Sequence, residues 1–211
     1  MAEGLDRFRQ FLCQLTKLCD AGAEEHDIIE HGGASLRGLV AEDDWLPPEF
    51  AEPDAKHYRQ YLLYCDPLER FSVVSFVWGP GQRTPVHDHT VWGLIGMLRG
   101  SEIARNYGPD ADSRLAPDGE DRLTPGMVAA VSPRIGDIHS VENALADRPS
   151  ISIHAYGANI GGWRGMSLSP RPARPSPSSP DMPTGCSPTC GTARRRCAPA
   201  SGPRRPRLRQ Y

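Results

Sequence analysis

Leu5, Phe8, Leu12, Leu15 and Leu18 recur at spacings of three and four between Glu3 and Asp20, which lays one apolar stripe along an amphipathic helix. Shorter stretches from Ala23 to about Ile29 and from Ala34 to Val40 predict two further helices. Asp44-Trp45-Leu46-Pro47-Pro48 ends the helical texture, because proline removes a backbone donor and clashes with the preceding turn. From Tyr58 the pattern changes to short runs rich in β-branched and aromatic residues. These are Tyr58–Tyr64, Phe71–Trp78, Val91–Leu98, Glu102–Tyr107, Met127–Val131 and Ser150–Tyr156, with Gly-Pro or Pro-Gly at several joins. The reading is an all-β barrel or sandwich over residues 57–161 behind a helical cap over residues 1–56.

After Gly161 the periodicity stops. Residues 166–211 hold nine Arg, ten Pro and a single acidic residue, Asp181, a local charge of +8. The chain as a whole carries −2, so the rest of it stands at −10. With almost no aliphatic side chains, the 162–211 segment cannot offset its chain entropy and is expected to be a disordered Pro/Arg-rich tail. Its arginines alternate with proline rather than with aromatics, so no nucleic-acid partner is expected. Cys186, Cys190 and Cys197 are irregularly spaced, with no histidine after His154, and do not make a zinc site. Cys13 and Cys19 fall in the first helix and are expected to pack as small apolar residues. No run of about 18 apolar residues and no apolar h-region at the N-terminus is present, which predicts a cytoplasmic chain without a membrane partner, and the chain is expected to be a monomer.

The chemistry concentrates in Gly81-Gln82-Arg83-Thr84-Pro85-Val86-His87-Asp88-His89. On a strand, His87 and His89 share one face and Asp88 faces away. A third histidine, His139, follows Pro133-Arg134-Ile135-Gly136-Asp137-Ile138, with Asn143 four residues later. A His-x-His pair with a third histidine on another strand is a metal-site pattern. Ser152, His154 and Tyr156 alternate along Ser150–Tyr156, so their side chains share a face opposite Ile151 and Ile153.

These segments resemble the two-part motif of the cupins. Gly81, His87, His89, Gly93 and Gly100 match the first part, and Pro133, Gly136, His139 and Asn143 the second. His87-Asp88-His89-Thr90-Val91-Trp92-Gly93-Leu94-Ile95-Gly96-Met97-Leu98-Arg99-Gly100 is similar to the bacterial thiol dioxygenases of the cysteine dioxygenase family, over roughly residues 5–161. The resemblance implies a cupin jelly roll holding mononuclear Fe(II) on His87, His89 and His139, and a Ser152-His154-Tyr156 relay beside it. It implies O2 and a small thiol carboxylate, 3-mercaptopropionate or L-cysteine, as reactants, with the sulfinate as product. Gly93 stands where cupins carry a glutamate ligand and where animal cysteine dioxygenases carry a cysteine cross-linked to the tyrosine, so Tyr156 is expected to be a free phenol. Gln60 occupies the place of the carboxylate-pairing arginine of cysteine-specific enzymes, which resembles the 3-mercaptopropionate subgroup. Arg59 is one register away.

The family continues with an arginine-bearing strand, for which Arg164 is the nearest candidate here. Shifting the reading frame by two bases near codon 162 restores an arginine followed by strand-like residues, so an out-of-frame origin is expected for the tail. The competing functions are an isomerase or hydrolase cupin with zinc or manganese, and a metal-binding cupin without turnover.

Overall fold

The computed structural model describes residues 2–161 and the backbone of residues 209–210. Apart from the backbone of residues 209–210, which pairs as a short strand rather than being disordered, the tail lies outside the described residues, and so does Arg164. Helix α1 spans Ala2–Asp20. Its buried stripe centres on Phe11 and Leu15, with Phe8, Leu12 and Leu18 half-buried beside them. Leu5, expected on that stripe, is 41% exposed, and Phe11 takes its place. Cys13 is likewise exposed, and only Cys19 packs against the core. Both are free thiols. The two shorter helices join without a break: α2 (Glu25–Asp27), a π turn over Ile28–Gly32, and α3 (Gly33–Val40). A Cβ at Gly32 would stand 3.0 Å from both Leu15 Cδ2 and Leu94 Cδ1, so glycine lets this helix press against α1 and the sheet at once.

Nine strands follow: β1 (Arg59–Cys65), β2 (Ser72–Trp78), β3 (Gly93–Arg99), β4 (Glu102–Pro109), β5 (Leu115–Leu123), β6 (Val128–Val131), β7 (His139–Asn143), β8 (Ser150–Tyr156) and β9 (Arg209–Gln210). They form two antiparallel sheets, in the orders β1-β2-β8-β3-β6-β9 and β5-β4-β7. Single bridges Arg83↔Glu142 and His87↔His139 lay residues 83–87 along the free edge of β7. This is the cupin jelly roll, with a helical layer on its larger sheet. Strand β5 escapes the sequence pattern because Pro117, Gly119 and four charged residues break any apolar alternation. It is an exposed edge strand held by its backbone ladder to β4.

Inside its exposed edge strand β1, the larger sheet is buried on both faces. Outward residues of β3 and β8, Leu94, Leu98, Ile151, Ile153 and Ala155, form one cluster with Phe11, Leu15, Leu36, Leu39 and Val40 of the helices. Each fully buried Leu or Phe in that layer contributes about 1.5–3 kcal/mol. Inward residues Val74, Phe76, Trp78 and Tyr156 instead meet Ala104 and Val141 of the second sheet. The β1–β2 turn is pinned by Asp66, which is 2% exposed and accepts from Arg70 Nε at 2.8 Å and Nη2 at 2.9 Å. Arg70 Nη1 also donates to Asp20 at 2.6 Å, tying the turn to the end of α1. No helix among the described residues is long and apolar enough to cross a membrane.

Candidate metal centre

His139 opens β7 and points inward with Val141 and Asn143. His87 and His89 lie in the β2–β3 connection, which is not the regular strand expected for them. Only His87 pairs, through reciprocal backbone hydrogen bonds with His139, each of 2.9 Å. The connection is held in an extended course from outside. Thr84 Oγ1 accepts from the Val141 amide at 2.9 Å, and Asp137 Oδ2 accepts from the His89 amide at 3.0 Å. Asp88 is exposed, and Trp92 packs against the core of the helical layer.

The three imidazoles are buried, with ring centroids 4.7–5.1 Å apart, and one ligand atom of each lies within 4.8 Å of the others. His87 Nδ1 is 3.0 Å from the Pro85 carbonyl oxygen, to which it donates, so its Nε2 lone pair is left free. Burial lowers the pKa of all three. His89 is pushed down to about 4, by burial first and then by His87. His139 is held well below the usual imidazole range by burial and its two histidine neighbours. All three are neutral at pH 7 and offer lone pairs. Nδ1 of His89 and Nδ1 of His139 are buried without a hydrogen-bond partner, a debt a protein core normally does not carry. A cation on three neutral nitrogen donors fits this set, and nitrogen ligands of this kind suit iron, copper or zinc.

The inner face of β8 supplies the neighbouring groups. His154 Nε2 lies 2.8 Å from Ser152 Oγ, and His154 Nδ1 lies 2.8 Å from the Tyr156 hydroxyl. Phe76 stacks on His154 at 4.1 Å, and Tyr156 stacks on His89 at 5.5 Å. Burial holds His154 neutral and raises the Tyr156 phenol, so that hydroxyl keeps its proton. Gly93 sits in register between Val131 and Tyr156. A Cβ there would come within 2.9 Å of Val131 Cγ2 and 3.0 Å of Tyr156 Cε1. A glutamate or cysteine side chain would therefore contest the space of the phenol ring.

A cavity of about 540 Å³, including its open mouth, leads to this cluster. Gln60 and Tyr58, alternate residues entering β1, line its mouth. Arg59 turns the other way, to Asp54 Oδ2 at 3.0 Å, which resolves the register between the two neighbours. Tyr58 lies flat on Trp78 at 4.5 Å. Tyr58, Phe76 and Asp137 were not singled out from the sequence. Of these only Tyr58 had a signal, its alternation with Gln60.

The model of the family described as "Cysteine dioxygenase type I" matches residues 39–161, more than half of the chain. The chain belongs to that family. A curated relative, cysteine dioxygenase type 1 of Danio rerio, is 29% identical over 118 residues, covering 54% of this chain and 56% of the relative. The chain thus spans about half the length of the curated relative it matches. Among solved structures, a conserved protein with a double-stranded beta-helix domain from Klebsiella pneumoniae is similar at 18% identity and a TM-score of 0.41, over 55% of this chain and 89% of that one. A cupin superfamily protein from Desulfitobacterium hafniense is similar at 14% identity and a TM-score of 0.37, over 51% of this chain and 84% of that one.

Proposed function

We propose that this family member is an Fe(II)-dependent thiol dioxygenase that converts a small thiol carboxylate and O2 to the sulfinate, with 3-mercaptopropionate preferred over L-cysteine. The observation that carries the reading is the set of three neutral, converging imidazoles opening on a cavity with a neutral amide, Gln60, at its mouth. Iron held by His87, His89 and His139 would supply a dicationic centre able to bind a thiolate and activate dioxygen.

The chain's own residues do the remaining work. Gln60 donates an amide hydrogen bond to the carboxylate without adding charge, which suits an acid with no neighbouring ammonium group. Tyr156, kept protonated by burial, holds a hydroxyl at the cavity wall, and His154 and Ser152 fix its orientation. Phe76, Trp78, Ile95 and Val141 exclude water around these groups, which strengthens each polar contact.

The test is an oxygen-electrode assay on iron-loaded, anaerobically purified protein. Uptake of one O2 per thiol, with a higher kcat/KM for 3-mercaptopropionate than for L-cysteine, is expected. Stoichiometric iron with no thiol-dependent uptake would overturn the enzyme reading and leave a metal-binding cupin. Uptake with a preference for cysteine would overturn the substrate assignment alone.

A further inference from the structure

His87 and His139 hold each other through paired backbone hydrogen bonds, while His89 belongs to no strand. Its ring still faces the other two, at centroid distances of 5.1 Å, so another contact must fix the direction in which its side chain leaves the backbone. That contact is Asp137, whose Oδ2 accepts from the His89 amide at 3.0 Å across 48 residues of sequence. Among the described residues it is the hydrogen bond that holds the connection between His87 and Trp92, whose carbonyl accepts from the Gly157 amide. Asp137 is itself fixed on both sides. Before it, the Gly136 amide donates to the Ser132 carbonyl at 2.9 Å, and Ser132 Oγ accepts from the Arg134 amide at 3.1 Å, which closes a turn. Gly136 leaves that turn at a φ of 109°, where a side chain would be strained. The Ser132 hydroxyl donates to Glu25 Oε1 at 2.7 Å, so the turn is anchored to α2 in the helical layer. After Asp137, the Ile138 carbonyl accepts from the Tyr107 amide at 2.9 Å, and His139 enters β7.

We propose that Asp137 is a positioning residue of the metal centre: its carboxylate holds the His89 amide so that the His89 imidazole is aimed where those of His87 and His139 converge. The proposal rests on the three-histidine reading of the site and is independent of the dioxygenase activity. A carboxylate on so short a fixed segment cannot follow the connection outward, so it restrains it. His89 is 6% exposed, and without its acceptor the amide would be a buried donor with no partner. The connection would then turn toward water to satisfy that amide and carry the ring away from its two neighbours. The hydrogen bond does this work, and the negative charge does not. Asp88 makes the comparison possible, since its exposed carboxylate sits between two of the ligands and braces neither. Groups that orient a metal ligand in this way typically change metal affinity 10- to 100-fold when they are removed.

The experiment is a titration of the metal-free, full-length chain with Co(II), a probe that takes the same nitrogen ligands and whose visible bands report how many of them it holds. Asp137→Ala should weaken Co(II) binding about 10- to 100-fold and, at saturation, alter the bands as water replaces His89. Asp137→Asn keeps an acceptor oxygen and loses the charge, so it should recover most of the affinity and the unmodified spectrum. Asp88→Ala should leave both unchanged. By NMR, the His89 amide of the unmodified metal-free chain should resist hydrogen exchange. Unaltered Co(II) affinity in folded Asp137→Ala, or an Asp137→Asn protein as weak as the alanine variant, would overturn the proposal. A freely exchanging His89 amide in the unmodified chain would do so even if the variants fail to fold. An unmodified chain that takes up no Co(II) while its His89 amide stays protected would instead overturn the three-histidine reading, and this proposal with it.

Discussion

Gly93→Ala adds one methyl group at the most crowded point of the candidate site. The new Cβ would meet Val131 Cγ2 at 2.9 Å, closer than Cβ atoms approach, and the Tyr156 ring at 3.0 and 3.1 Å, tighter than most carbon contacts. Neither neighbour is free to give way. Val131 is fully buried, and Tyr156 is held by His154 at its hydroxyl and by His89 on its ring face. Overpacking of this kind costs about 1–3 kcal/mol. For a folded part of this size each kcal/mol lowers Tm by about 2–4 °C, so a fall of roughly 2–12 °C is expected by calorimetry. Gly38→Ala is the matched control. It lies inside α3 with nothing within 4 Å of its added Cβ, and should stabilise by about 0.5–1 kcal/mol through helix propensity. Because the displaced ring carries the Tyr156 hydroxyl, thiol-dependent oxygen uptake should fall in Gly93→Ala and stay unchanged in Gly38→Ala. Equal Tm values for Gly93→Ala and the unmodified chain would show that the space beside Gly93 is not as tight as described, and the account of Tyr156 would fail with it.

Replacing His87, His89 or His139 by alanine should abolish stoichiometric iron binding, read by elemental analysis. One such variant retaining full iron would refute the three-histidine assignment. Gln60→Arg should shift kcat/KM toward L-cysteine by about 1–3 kcal/mol for one charge-assisted hydrogen bond, and an unchanged ratio would show that Gln60 does not meet the carboxylate. Asp66 is held down to about 2 by the Arg70 guanidinium first, against the opposing push of burial. A depressed carboxyl contributes stability that is full above its ordinary value of 3.8 and lost as pH falls through the folded one. Asp66→Ala should therefore cost about 2 kcal/mol in urea denaturation at pH 7, with the gap closing toward pH 2, and a gap independent of pH would sink that account.

Where the sequence was legible, a short period carried the information. Ser152, His154 and Tyr156 could be placed on one face because β8 is regular and its residues alternate between the helical layer and the cavity. His87 and His89 converge as the same alternation suggests, although their segment is a connection braced by Thr84 and Asp137 rather than a strand. The rest depended on contacts distant in sequence. Phe76 stacks on a histidine 78 residues further on, and Asp137 reaches back 48 residues to the His89 amide. The uninterrupted α2–α3 helix was hidden by Gly32-Gly33, which reads as a break and serves as a point of close packing. Leu5 and Phe11 exchanged roles because both fit a three-four spacing, and only the neighbouring helix decides which faces inward.

The helical layer has a practical bearing on how this protein can be handled. The family match begins at residue 39, inside α3, and so leaves out α1, the π turn and most of α3. Yet Leu94, Leu98, Ile153 and their neighbours on the larger sheet are dry only because Phe11, Leu15 and Leu36 cover them. A polypeptide trimmed to residues 39–161 would keep His87, His89 and His139 and bare an apolar sheet face wider than monomeric proteins usually expose. Such a fragment should self-associate on expression. Recovering it in soluble form would call for the missing helices supplied in trans, or for polar substitutions on the outer face of β3 and β8, the face that never touches the cavity.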